Sequence, residues 1–336
     1  MNRRLQIGAL LGAVFAIGAC SLFTDLSSFN DAPAPDASAD GATSPDAPDA
    51  PGANDTGIDT GLEAGIDACA DADISIDPSN CGACNRSCLG GSCAFGKCGA
   101  VEIVGNLPLG AGIAIAKGAL YVSLPGTIRR YDLDGKNGID VASSTAPGYL
   151  TADDNYLYWI DVSEKKVKRW SLVNGGGAED LVPITGPLSP SGIAVSPDHV
   201  YWTLYTTDGG VERALLDGGS YETVFGPYNH PEDIEFANGA LIVGGDGVNE
   251  LAVFEDAGFG PKRVLSMGNA PETMVYDDGF VYWAEQATGK IMRIPFAGGG
   301  KEELASGGHI PTGIALTTTA VYWRNWTDGG IMRVAR

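Results

Sequence analysis

The chain has 336 residues, 44% of them hydrophobic, and 42 acidic against 21 basic side chains give a formal charge of −21. The excess is not confined to one end, since 29 acidic residues still face 17 basic ones from residue 99 onward. This balance argues against nucleic acid as a partner, because phosphate binding relies on clustered Lys and Arg.

Residues 1–19 carry Arg3 and Arg4 ahead of the apolar run "IGALLGAVFAIGAC". The run is too short to span a bilayer as a helix and has the length of a secretion signal. It closes on "IGAC", small residues directly before Cys20, and so resembles the lipobox of bacterial lipoproteins. The resemblance implies that Cys20 receives diacylglycerol and becomes the anchored N-terminus. An ordinary cleaved signal with an incidental cysteine is the other reading. Several acyl chains at about 0.8 kcal/mol per buried methylene make such an anchor stable. Ser21, a non-acidic residue after the cysteine, implies by the same resemblance a place at the outer membrane of a two-membrane bacterium.

Residues 20–68 read as an Ala/Pro/Asp-rich tether, "DAPAPDASADGATSPDAPDAPGANDTGIDT" and similar, with no Lys or Arg. Too little apolar surface is available there to offset the entropy of ordering, and Pro and like charges favour extension, so disorder is expected. At about 3.1 Å per residue the segment reaches on the order of 100–150 Å. An acidic tail that binds a ligand is the alternative.

Six cysteines follow within residues 69–98: Cys69, Cys81, Cys84, Cys88, Cys93 and Cys98. An even set in an exported chain, packed into a stretch too small for its own core, predicts three disulfides of unspecified connectivity and a rigid spacer module. Zinc is the competing reading of the Cys-x2-Cys at 81–84, although no His or second such pair completes a familiar site. "DPSNCGAC" with its following cysteines resembles a Cys-rich segment of secreted myxobacterial proteins, which implies location and not activity.

The remaining residues, 99–336, repeat. "LYWIDVSEKKVKRW" (157–170) returns as "VYWTLYTTDGGVER" (200–213), "VYWAEQATGKIMRI" (281–294) and "VYWRNWTDGGIMRV" (321–334). Second strands start near Tyr121, Tyr158, Tyr201, Ile242, Tyr282 and Tyr322, spaced 37 to 43 residues apart. A period near forty with short β-like alternation predicts an all-β fold: a six-bladed β-propeller with four-stranded antiparallel blades. Successive strand residues point to opposite faces, so each Tyr-Trp pair is expected to pack against both neighbouring blades. The chain stops after a third strand, "IMRVAR", and "AVEIVGN" (100–106) is therefore expected to supply the missing fourth strand of the last blade. The units resemble the Tyr-Trp-Thr-Asp repeats of the low-density-lipoprotein-receptor class. That resemblance implies a six-bladed scaffold used for recognition. Only Asp161 keeps the motif's aspartate, with Leu204, Glu285 and Asn325 standing at the equivalent place elsewhere.

Loops leading into first strands and turns between second and third strands share one end of such a ring. That face should present Tyr205, Tyr228, His230, Glu232, Asp233, Asp246, Asn249, Glu272, His309 and Trp326. The fourth unit draws most attention, because "IVGGDG" replaces its aromatic pair where polar groups gather. In one reading the face binds a protein, peptide or glycan, with Tyr205, Tyr228 and Trp326 as aromatic contacts and Asp233 and Asp246 placing hydrogen bonds. In the other, His230, Glu232, Glu272 and His309 hold a divalent cation, Ca or Mg, in the central channel and the protein is a metal-dependent hydrolase or lyase of the lactonase kind. No phosphate loop or nucleophile elbow is present, since "GGDGVNE" lacks a Lys and a strand-to-helix context. A monomer anchored by lipid is expected.

Overall fold

A computed structural model describes residues 72–110, 112–185, 189–269, 271–306 and 310–336. The expected signal segment and tether, Cys20, Cys69 and His309 lie outside the described residues. The small ribbon β1 (Cys93–Ala94) and β2 (Lys97–Cys98) precedes β3 (Val101–Val104). Blade 1 is β4 (Ile113–Ala116), β5 (Ala119–Leu124), β6 (Thr127–Asp132) and β7 (Ile139–Ser143). Blade 2 is β8 (Pro147–Ala152), β9 (Tyr156–Asp161), β10 (Lys166–Ser171) and β11 (Gly175–Pro183). Blade 3 is β12 (Pro190–Val195), β13 (His199–Leu204), β14 (Gly209–Leu215) and β15 (Tyr221–Tyr228). Blade 4 is β16 (Asp233–Ala237), β17 (Ala240–Gly245), β18 (Glu250–Phe254) and β19 (Lys262–Met267). Blade 5 is β20 (Pro271–Asp277), β21 (Phe280–Glu285), β22 (Lys290–Pro295) and β23 (Glu302–Ala305). Blade 6 contributes β24 (Pro311–Leu316), β25 (Ala320–Asn325) and β26 (Ile331–Ala335).

Each blade is a four-stranded antiparallel sheet in sequence order, and the sixth is completed by β3, which pairs with β26 through Ile331↔Val104, Met332↔Glu102 and Arg333↔Val101. The N-terminal strand thus closes the ring, as its sequence predicts, and covers what would otherwise be an open sheet edge.

The recurring aromatic pair explains how blades hold one another. Tyr158 of blade 2 shares a core cluster with Trp202 of blade 3, Tyr282 of blade 5 with Trp323 of blade 6, and Tyr121 of blade 1 with Trp159 of blade 2. The tyrosine of one blade therefore meets the tryptophan position of the next. The four tryptophans at this place, Trp159, Trp202, Trp283 and Trp323, are all buried. The basic residue downstream has its own partner on the outer strand: Arg169 with Glu179, Arg213 with Glu222 and Arg293 with Glu302. These pairs are part-exposed and each contributes little to stability.

Asp161 is buried and ties blade 2 to the connection from blade 1. It accepts from the Ser144 hydroxyl at 2.6 Å and from the amides of Thr145 and Ala146 at 2.8 and 3.2 Å. Glu285 does comparable work for blade 5 with a longer side chain, accepting from Asn269 at 3.0 Å and Thr288 at 2.8 Å. The motif's aspartate is thus replaced in chemistry as well as in place, and the loss of the residue type at 285 does not mean loss of the tie.

In the cysteine module, Cys81–Cys93 and Cys88–Cys98 are disulfides, and Cys84 is disulfide-bonded too. The sulfurs of Cys81, Cys88 and Cys98 lie within 4.8 Å of one another, but in disulfides they offer no thiolate to zinc. Instead of standing off as a spacer, the module packs on the ring. Its four described half-cystines outside Cys84 share a cluster with Ala284 and Ile291 of blade 5 and Trp323 and Val334 of blade 6. Arg333 of β26 also donates to the Leu89 carbonyl.

Candidate functional site

First strands of all six blades surround a central cavity of about 410 Å3. At one end of it, three loops of blades 3 and 4 are knitted together. Gly245 and Gly247 let this happen: a Cβ at Gly245 would stand 2.2 Å from the His230 carbonyl oxygen, and one at Gly247 would stand 2.6 Å from the His230 Cβ. The turn after β17 is rich in glycine because the loop leading into blade 4 lies directly on it, while Ile242 and Val243 fill the two aromatic positions of this blade and are buried. His230 adopts a left-handed backbone, φ 44°, and its amide donates to the Thr206 carbonyl at 2.8 Å. Its ring meets the edge of Tyr205, with centroids 4.9 Å apart, and Nδ1 sits 2.7 Å from Asn229 Oδ1. Tyr205 in turn donates to the Asp246 carboxylate at 3.1 Å. Burial, then the bond to Asp246, pushes the Tyr205 phenol up to about 12.

One residue further, Glu232 anchors the mouth of the channel. Its amide donates to Gly244, and its carbonyl accepts from the Gly192 amide at 2.7 Å and the Thr203 hydroxyl at 3.0 Å. With its backbone so fixed, its carboxyl reaches that of Glu272, which leads β20, within hydrogen-bonding distance. Tyr149 of β8 donates to Glu232 Oε1 at 3.4 Å from across the ring. Glu272 is 7% exposed, and its Oε2 is buried without a donor. Two carboxylates in contact cannot both ionise easily: burial, then the charge of Asp246, pushes Glu232 above the usual range, while its bond to Glu272 offsets part of the rise, and burial, then the neighbouring Glu232, pushes Glu272 higher still. The pair therefore holds a proton or calls for another cation.

Asp233 points into the same channel but has work of its own, accepting the Met274 amide of blade 5 at 2.9 Å. Burial pushes its carboxyl up to about 7.

The structure thus brings Tyr205, His230, Glu232, Asp233, Asp246 and Glu272 to one side of one face. It does not bring Tyr228 or Trp326 to them. Tyr228 ends the outer strand β15 and is buried between Phe225 and Phe254, with its hydroxyl donating to Glu250 Oε1 at 2.6 Å. Trp326 is 43% exposed, but it belongs to blade 6, diametrically opposite Tyr205 of blade 3 in a six-membered ring. His230 turns toward Asn229 and Tyr205 and not toward the carboxyl pair. Among the described residues, no three His, Cys, Asp or Glu donors other than the disulfide cysteines come within 4.8 Å of one another. Sequence reading missed Tyr149, Glu235 and Thr273. All three lie on first strands, and the position of those strands around the channel was the available signal.

No family model and no curated protein matches the chain. Solved structures do share its architecture. A chain from a nidogen/laminin complex is 23% identical with a TM-score of 0.54, over 62% of this chain and 85% of that one. A streptogramin B lyase is 15% identical with a TM-score of 0.53, over 70% and 97%. A calcium-binding protein, regucalcin, from Agrobacterium tumefaciens is 14% identical with a TM-score of 0.59, over 71% and 93%. The shared feature is the six-bladed propeller. At these identities the likeness is one of fold, and fold alone does not carry activity.

Proposed function

We propose that the protein is a propeller recognition module, held at the cell envelope through lipid on Cys20, whose acidic face takes a basic segment of a protein or peptide. The observation that carries this reading is the Glu232–Glu272 pair, in contact, with Glu272 buried and its Oε2 lacking any donor. A Lys or Arg side chain entering the mouth supplies the missing donor and relieves the repulsion, with Asp246 and the Tyr205 and His230 rings as the rim. A glycan is the weaker form of the reading, because the two aromatic residues expected to stack it, half-buried Tyr205 and exposed Trp326, stand on opposite sides of the ring. The chain from the nidogen/laminin complex is a neighbour in keeping with a binding role. Titration of lysine- and arginine-containing peptides against the purified protein tests it: binding should weaken at least tenfold in Asp246→Asn and fall with salt.

A second reading, a divalent cation at the same carboxyl pair and a hydrolase or lyase built on it, is favoured by the contact between Glu232 and Glu272. The lyase and calcium-binding neighbours are in keeping with it. Two carboxyls are present where three protein donors are usual, so no catalytic step is derived. Melting with chelator and then with calcium, magnesium or manganese restored tests it, since a ligand at a hundred times its dissociation constant adds about 2.7 kcal/mol. A shift that Glu272→Gln abolishes would favour the metal.

A further inference from the structure

Below the mouth, the channel has a chemistry that the face does not use. Its wall carries Asp233, Glu235 and Asp277 and no Lys, Arg or His. Asp277, at the far end, is paired with Arg336. Asp233 and Glu235 have no basic partner among the described residues. They alternate on β16 with Ile234, so both side chains leave the same side of the strand, from backbone positions about 6.6 Å apart. Glu235 has no hydrogen-bond partner among the described residues, and burial, then the neighbouring Asp233, pushes its carboxyl well above the usual range.

A second observation points the same way. The hydroxyl of Thr273, on β20 and lining the same cavity, is buried at 1% exposure without a hydrogen-bond partner. Between these polar points the wall is apolar, with Ile113, Ile193, Met274 and Ile314 facing the space. The cavity, about 410 Å3, is of ligand size.

We infer that the channel is a binding site for a linear aliphatic diamine or polyamine, with one ammonium at Asp233, a second at Glu235, and the methylenes against the apolar wall. Two single charges separated along a strand suit two separated ammonium groups. A metal ion needs donors converging on one point, and no such trio is present there among the described residues. The nitrogens of extended butane-1,4-diammonium lie about 6 Å apart, which is close to the rise between residues 233 and 235 along the strand. Thr273 then has an N–H to accept. The site can be probed apart from the peptide face, because Asp246 and Tyr205 do not line the cavity.

The test is calorimetric titration of the full chain with butane-1,4-diamine and, at matched ionic strength, with n-butylamine. One saturable site should appear for the diamine, at least tenfold tighter than for the monoamine. Glu235→Gln should weaken it at least tenfold, while Asp246→Asn leaves it unchanged and weakens only the basic peptides. Equal binding of the two amines, no saturable site at millimolar diamine, or an unchanged Glu235→Gln affinity would overturn the inference. The comparison of amines on the wild-type chain decides the matter even if the variant fails to fold.

Discussion

Trp159 is the residue at which repeat and fold meet most simply. It is fully buried between blades 1 and 2, and its indole donates to Ser144, the hydroxyl that also holds Asp161. Trp159→Ala should cost about 3–5 kcal/mol, read as a lowered midpoint in denaturant. Asp233 makes a prediction of opposite kind. Its carboxyl, raised by burial from 3.8 to about 7, binds a proton in the native chain that the unfolded chain has lost over that window. Its contribution is therefore complete below about pH 4 and is lost as pH rises toward 7, at up to about 1.4 kcal/mol per pH unit. Stability measured from pH 4.5 to 7.5 should fall more steeply in the wild type than in Asp233→Asn, where the amide oxygen still accepts from Met274. Equal slopes would refute the assignment. The inter-blade role of Trp159 was legible in sequence because it depends on local alternation. The burial of Tyr228 and the reach of Tyr149 were not, because each depends on a side chain from a distant strand.

At the scale of elements, closure of the ring by β3 was readable from a missing fourth strand, and the seating of the cysteine module was not. Nothing in the spacing of six cysteines says which surface they meet. Yet Cys81, Cys88, Cys93 and Cys98 join the core of blades 5 and 6. Two predictions separate these elements. Removing residues through 107 should lower the melting temperature of the ring sharply, since β26 is left with an open edge. Reducing the two disulfides, each closing a loop of about a dozen residues, should destabilise by about 2–4 kcal/mol per bond, and the loss should extend to blade 6 in hydrogen exchange. If exchange at β25 and β26 were unaffected by reduction, the module would be a passive neighbour. The fourth unit gives a further lesson at this scale: its departure from the repeat coincides with a tight packing of loops, since Gly245 and Gly247 make room for the loop that carries His230 and Glu232.

For the whole molecule, the account is a rigid ring whose acids are unevenly placed: paired with arginines around the outside, unpaired at one mouth and down the channel. The sequence disclosed the charge and which loops share an end of the ring. It did not disclose which acids lack partners, because that depends on inter-blade geometry. The most direct test is calorimetric titration of the full chain with a tri-lysine peptide, comparing Asp246→Asn on the face with Asp198→Asn at the opposite end of blade 3. The two variants have the same net charge and the same tether. A loss of at least tenfold in affinity for Asp246→Asn alone is the predicted result. Equal losses in both variants would reduce the binding to overall charge and contradict the assignment of the face.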